Sequence, residues 1–240
     1  MDIVGVQVGG GSPLVAFTLA HGEDPHQVLW ERGYRVIRPL SASGTKDDLV
    51  VTLQVTLHRR PVVPRGPQRI RSLVPTAHAG EVPVVRQRLA AYSLVVSERG
   101  LLATEFSERT AVPGLWSLPG GGIDEGENPA QAVQREIYEE TGQTVDVRQF
   151  LDLQTDHWIG LSPGGVVEDF HAVRLIYVAH CPAPSDPVVH DAGGTTAASA
   201  WVGFERWRDL PWATGARSLL QRHAPQQLRN WRNLHFARPA

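Results

Sequence analysis

Residues 120–142 read GGGIDEGENPAQAVQREIYEETG, a glycine turn running into a short helix that ends in glutamates. Helix signals stack at its start: Asn128 is placed as the N-cap, Pro129 takes the first helical position and Gln131 stands three residues past the cap. Gly142 suits the left-handed backbone that stops a helix, so a helix is expected over Pro129–Thr141. Ala130, Val133 and Ile137 recur at helical spacing as an apolar stripe, with Glu136 and Glu140 one turn apart on the adjoining flank and Glu139 beside them.

The three carboxylates crowd the negative end of the helix dipole, and Glu136 and Glu140 form a like-charge i,i+4 pair. Each effect costs roughly 0.3–1 kcal/mol at an exposed site. A hard divalent cation such as Mg2+ reverses the sign of both, because it takes carboxylate oxygens and keeps water and phosphate in its shell. Arg135, four residues before Glu139, can pair with it and fix one carboxylate. Gly120, Gly121 and Gly122 let the backbone approach a ligand without a Cβ in the way. A bare E-x-x-E-E is ordinarily a solvated helix face; the glycines, Glu127 and Arg135 at their spacings turn the reading toward a metal site.

These residues resemble the Nudix box, G-x5-E-x7-R-E-U-x-E-E-x-G-U with U a bulky aliphatic residue. Gly121, Glu127, Arg135, Glu136, Ile137, Glu139, Glu140 and Gly142 fall in register, and Gln143 stands where the last aliphatic is expected. Val145 is the residue placed to take over its packing, and the lead-in PGLWSLPGG at 113–121 also resembles the family's.

The resemblance implies an α+β Nudix fold, a mixed sheet between helices (an α/β/α sandwich), over residues 84–240. It also implies an Mg2+-dependent pyrophosphohydrolase, Mn2+ being able to stand in, acting on a nucleoside diphosphate linked to another group. Glu136, Glu139, Glu140 and the Gly120 carbonyl would hold metal, Glu127 would support the glycine loop or reach metal through water, and Arg135 would orient Glu139. Relatives often place a further acid after the box, but Ala197 and Ala198 stand where such acids occur. Glu168 is taken as the candidate base, with Asp169, His190, Asp191 and Glu205 as the other candidates. Trp158 and Trp201 are candidate faces for a nucleobase, stacking being worth roughly 1–3 kcal/mol per base. Two other readings stand beside the enzyme: a nucleotide-sensing module signalling through residues 1–60, and an N-terminal unit that makes a homodimer and completes the pocket.

Composition sets the frame. The 240 residues suffice for one large or two small domains, and 23 Lys plus Arg against 25 Asp plus Glu give no reason to expect a nucleic-acid or membrane partner. Cys181, the single cysteine, excludes an internal disulfide and fits a reducing cytoplasm; its plainest role is as a small buried hydrophobe. The N-terminal stretch has no basic region and its apolar run is broken by glycines, so no signal peptide is expected, and no window of about 18 apolar residues would cross a membrane.

Ahead of the box, residues 2–8 and 13–20 read as a hairpin about GGGS. A short helix follows, with Asp24 as cap, Pro25 in its first turn and Gly33 as its stop, and then strands at 34–42 and 48–59. Together they make a small β-rich α+β unit at 1–60, in which His21, His26, His58, Asp47 and Asp48 lack metal-ligand spacing and read as structural. Residues 61–83 read as a Pro/Arg-rich linker, with Arg59, Arg60, Arg65, Arg69 and Arg71 giving it basic character. Strands are expected at 90–98, 101–106, 147–159, 170–181 and 199–204, a short helix near 205–210, and a last helix capped by Thr214 and ending at His223. Trp207, Trp212 and Trp231 are placed to hold that helix down or to form a dimer contact.

Overall fold

Strand β1 (Asp2–Val6) pairs antiparallel with β2 (Val15–Thr18) and parallel with β4 (Val50–Leu57), and β4 pairs antiparallel with β3 (Tyr34–Ser43). The four strands form one sheet in the order β2-β1-β4-β3. Pro39 sits in β3, an edge strand of the kind that tolerates proline, and the β3–β4 register shifts on either side of it. Between β2 and β3 lies α1 (Pro25–Glu31), capped by Asp24, whose carboxylate accepts from the His26 and Gln27 N–H groups. Leu29 is fully buried, and Gly33, with φ +90°, turns the chain into β3.

The structure is a computed structural model that describes residues 1–9, 11–58, 70–162, 164–191 and 193–236, with only the backbone of 232–236. Arg59, Arg60, Arg65 and Arg69 therefore lie outside the described residues. Arg71, inside the expected linker, instead joins β5 (Arg71–Ser72), which pairs parallel with β10 (Asp146–Leu161). A two-residue strand carries no periodicity of its own, so only the distant partner reveals it.

The second sheet, eight-stranded among the described residues, runs β12 (Thr196–Val202), β7 (Gly100–Phe106), β6 (Val84–Ser97), β11 (Val167–His180), β10, β5. The short strands β8 (Trp116–Ser117) and β9 (Gly120–Gly122) pair with β7 and β6. With α2 (Pro129–Thr141) and α3 (Thr214–Phe236) the architecture is α+β, and the expected N-terminal unit has its own sheet.

By its contacts the chain forms two compact units. The first comprises Met1–Ala91, Gly122–Ala132 and Phe150–Ile176; its core includes Ile3, Leu29, Val51, Leu53, Leu153 and Leu175. The second comprises Tyr92–Gly121, Val133–Gln149 and Tyr177–Ala240, with Leu94, Leu102, Ile137, Leu219 and Leu220 at its centre.

Three helical expectations change. The buried stripe of α2 is Ala132, Val133 and Ile137, while Ala130 is only half-buried, because the packed face sits two positions further along the first turn. The last helix does not stop at His223 but runs through Pro225 to Phe236. Leu220, Ala224, Leu228 and Trp231 are buried at helical spacing, and their packing outweighs the hydrogen bond that Pro225 forfeits. The helix also begins one residue earlier than expected, as the Arg217 N–H donates to the Ala213 carbonyl.

Candidate active site

The start of α2 is a reciprocal capping box. Asn128 Oδ1 accepts from the N–H groups of Ala130 and Gln131, both at 3.0 Å, and Gln131 Oε1 accepts from the Asn128 N–H at 3.0 Å. The preceding loop closes on Glu127, whose carboxylate accepts from the Asp124 N–H at 3.1 Å, and the Glu127 carbonyl accepts from the Lys46 N–H at 3.1 Å. Within this first unit a cleft of about 520 Å³ is lined by Lys46, Asp47, Gln87, Arg88, Gly122 and Asp124.

In the second unit, the last turns of α2 carry the acids. Arg135 Nη1 lies 3.1 Å from both Glu136 Oε1 and Glu139 Oε2, so one guanidinium holds two carboxylates rather than Glu139 alone. Gly121 makes room for Glu136: a Cβ there would lie 2.4 Å from its Oε1. Glu140 is buried and accepts from the Gly120 N–H at 2.9 Å and from the Thr196 hydroxyl at 2.6 Å. Burial pushes its pKa up to about 7; the Thr196 and Gly120 hydrogen bonds pull down, and the Glu136 and Asp191 charges push further up. At Gly120 the backbone has φ +138°, outside the range that side chains favour.

The helix ends as its sequence says. Gly142 has φ +68° and donates to the Tyr138 carbonyl. The last carbonyls are taken up by the loop at 188–191: His190 and Asp191 donate to the Glu139 carbonyl at 2.7 and 3.1 Å, Val188 donates to Thr141, and the His190 ring stacks on Tyr138. Gln143, in place of an aliphatic residue, is as buried as one. It bonds to Thr141 and Ser185 and so ties the loop after Cys181 to the helix terminus, while Val145 is buried as well.

The candidates outside the box are placed as follows. Glu168 is buried in the first unit, with its carboxylate 3.3 Å from Arg86 Nε. Asp169 is engaged by His21 and His157; burial alone would raise its pKa, and the bonds and charges of the two rings outweigh it and hold it below the usual carboxylate range. Trp158 packs its ring on Phe170, with centroids 4.7 Å apart. Trp201 donates its indole N–H to the Ser185 carbonyl at 2.9 Å. Glu205 is exposed on the segment after β12. Trp207, Trp212 and Trp231 are all buried in the second unit.

One grouping escaped the sequence. His21 lacks ligand spacing in the sequence, yet it stands with His157 and Asp169, and the rings of His157 and His171 lie 5.2 and 5.5 Å from its own. Only strand pairing and the turn after β2 bring these residues together, so no spacing rule could find them. His26 and His58 keep structural roles, bonding to the carbonyls of Leu153 and Trp30.

Comparison with known proteins gives the family. RNA pyrophosphohydrolases of Rhizobium meliloti (strain 1021) and Brucella ovis are 49% identical over 55 residues and 46% identical over 59 residues, spans that cover 20% and 21% of this chain. The chain spans only about a third of the length of these relatives, 33% and 32%. Among solved structures, the MutT protein of Methanosarcina mazei Go1 is 19% identical, with a TM-score of 0.47 over 59% of this chain and 95% of that one. The NUDIX domain model matches residues 86–223, more than half of the chain, and the chain belongs to that family.

Proposed function

We propose that the protein hydrolyses the pyrophosphate bond of a nucleoside diphosphate linked to another group, using Mg2+, or Mn2+ in its place. The observation that carries this reading is Arg135 held between Glu136 and Glu139, with Glu140 fixed by Gly120 and Thr196 in the same unit. The donor set fits a hard cation: three carboxylates, all oxygen, with Gly121 leaving the Glu136 carboxylate a position that a Cβ would fill.

Glu136, Glu139, Glu140 and the Gly120 carbonyl would hold the metal. Bound there, it would neutralise charge on the bridging oxygens and lower the pKa of an attacking water. Arg135 keeps two carboxylates oriented; the Thr196 hydroxyl and the Gly120 N–H fix the third. Glu127 supports the loop before α2, and Glu168, with its neighbour Arg86, is the proposed base. Trp158 and Trp201 are the proposed nucleobase faces, residues 1–60 the proposed accessory unit and homodimer contact, and 84–240 the catalytic domain.

Two relatives are RNA pyrophosphohydrolases, so an RNA carrying a pyrophosphate bond belongs beside ADP-ribose, nucleotide sugars and dinucleotides as a trial substrate. Incubation of this panel with Mg2+ or Mn2+, scored by product mass, tests the proposal. Glu139→Gln and Glu140→Gln should each lower turnover by orders of magnitude with the fold retained. Full activity in both variants would sink the metal assignment, and tight nucleotide binding without metal or product would favour the sensing module.

A further inference from the structure

Outside the Nudix box, four titratable side chains from three stretches of the first unit converge. They are His21 from the turn after β2, His157 on β10, and Asp169 and His171 on β11. Asp169 Oδ1 lies 3.0 Å from His21 Nε2 and 2.5 Å from His157 Nε2, and one ligand atom from each of these three residues lies within 4.8 Å of the others. Gly22, with φ +77°, makes the approach possible, since a Cβ there would stand 2.6 Å from the His157 ring. His171 is fully buried, held by Gln87 through Nδ1 at 2.8 Å, and its ring lies 5.5 Å from that of His21 and 5.9 Å from that of His157.

The plain alternative is a structural carboxylate accepting from two imidazoles. Such a cluster would normally close its own hydrogen bonds, but His21 Nδ1 is buried and has no hydrogen-bond partner, while its Nε2 faces Asp169. Two imidazole Nε2 atoms meeting one carboxylate oxygen put three metal-ligating atoms within reach of a single cation. We propose that His21, His157 and Asp169 bind a divalent transition metal, zinc(II) first, in an N2O site that clasps the turn after β2 to β10 and β11, leaving a coordination position open.

The donor set decides the metal. Two imidazoles and one carboxylate suit zinc and its neighbours, whereas Mg2+ prefers oxygen, so the site is chemically distinct from the glutamates of α2. Metal–donor bonds of about 2.0–2.2 Å in a tetrahedral site put donors roughly 3.3–3.5 Å apart. Binding would therefore require the Asp169 carboxylate, whose side chain is 21% exposed, to draw back from His157.

The test uses the full chain, stripped with chelator, reloaded with zinc(II) in excess Mg2+ and dialysed, with retained zinc read by mass spectrometry. One zinc per chain is expected in the wild type and in E139Q/E140Q, and none in H21Q/D169N. Cobalt(II) should give a visible ligand-field band that His157→Gln abolishes. Circular dichroism checks each variant's fold, and His21→Gln alone, in a partly exposed turn, replaces the double variant if that one misfolds. Zinc lost from the wild type on dialysis, or retained equally by wild type and the His21, His157 and Asp169 variants, would overturn the proposal.

Discussion

Gln143 and Ser185 are joined twice: the Ser185 N–H donates to Gln143 Oε1 at 3.0 Å, and Gln143 Nε2 donates to Ser185 Oγ at 3.0 Å. The same Nε2 lies 3.1 Å from the Thr141 carbonyl, so the amide joins the end of α2 to the loop after Cys181. Gln143→Leu restores the aliphatic residue of the Nudix pattern but strands these partners. A loss of about 1–3 kcal/mol is expected in urea unfolding with an unchanged m-value; a gain in stability would mean that packing alone governs the position.

Gly121→Ala separates activity from stability. The added Cβ would meet the carboxylate end of Glu136 at 2.4 Å, and that end can swing aside. Folding should change little, whereas displacing a group in the proposed site by about 1 Å is expected to cost roughly 10²-fold in turnover. Equal turnover, measured with the best substrate of the panel, would remove Glu136 from the proposed chemistry.

Thr196 acts through Glu140. Its hydroxyl lies 2.6 Å from Oε1, and Thr196→Val keeps the shape while deleting the donor. Partners that orient a ligand typically carry 10–100-fold in metal affinity. The Mg2+ concentration for half-maximal activity should rise by about that factor, and Thr196→Ser should restore it. An unshifted Mg2+ curve in Thr196→Val would leave Gly120 as the group that positions Glu140.

Acid should loosen the turn before β4. The Thr45 hydroxyl and N–H both donate to Asp48 Oδ1, at 2.7 and 2.5 Å, and hold its carboxyl below the ordinary 3.8. A depressed carboxylate gives stability that is present above pH 3.8 and lost as pH falls through the lower folded-state value. In a carboxyl NMR titration Asp48 should therefore titrate below 3.8, and Thr45→Ala should move it upward. Because Lys46 in this turn donates to the Glu127 carbonyl, the protection of the Lys46 amide relative to its intrinsic exchange rate should fall over the same pH range.

How far the sequence could be read depended on how local each signal is. The ends of α2 were legible because Asn128, Gln131 and Gly142 act within one turn of themselves, and the box because its spacing lies on that one helix. Arg71 in β5 and His21 beside Asp169 were not, since both depend on partners far along the chain. The role of Thr196 was equally hidden: a threonine in a loop-rich stretch gives no sign that its hydroxyl will reach Glu140.

The C-terminal helix gives the sharpest conflict between local rule and packing. Pro225 argues for a stop, and the family match also ends at residue 223, yet α3 continues and buries Leu228 and Trp231. Trp231 is 5% exposed and its ring lies 5.0 Å from that of Phe204, so it belongs to the core of the second unit. Truncating a buried aromatic costs about 3–5 kcal/mol, against a typical total of about 5–15. Trp231→Ala should therefore lower the thermal midpoint steeply, and a chain ending at His223 should be marginal or unfolded. Pro225→Ala should do the opposite: it returns an N–H to a helix already held by Ala224 and Leu228, and stability should rise. A drop in stability in Pro225→Ala would mean that the proline shapes a bend on which the packing of Trp231 depends.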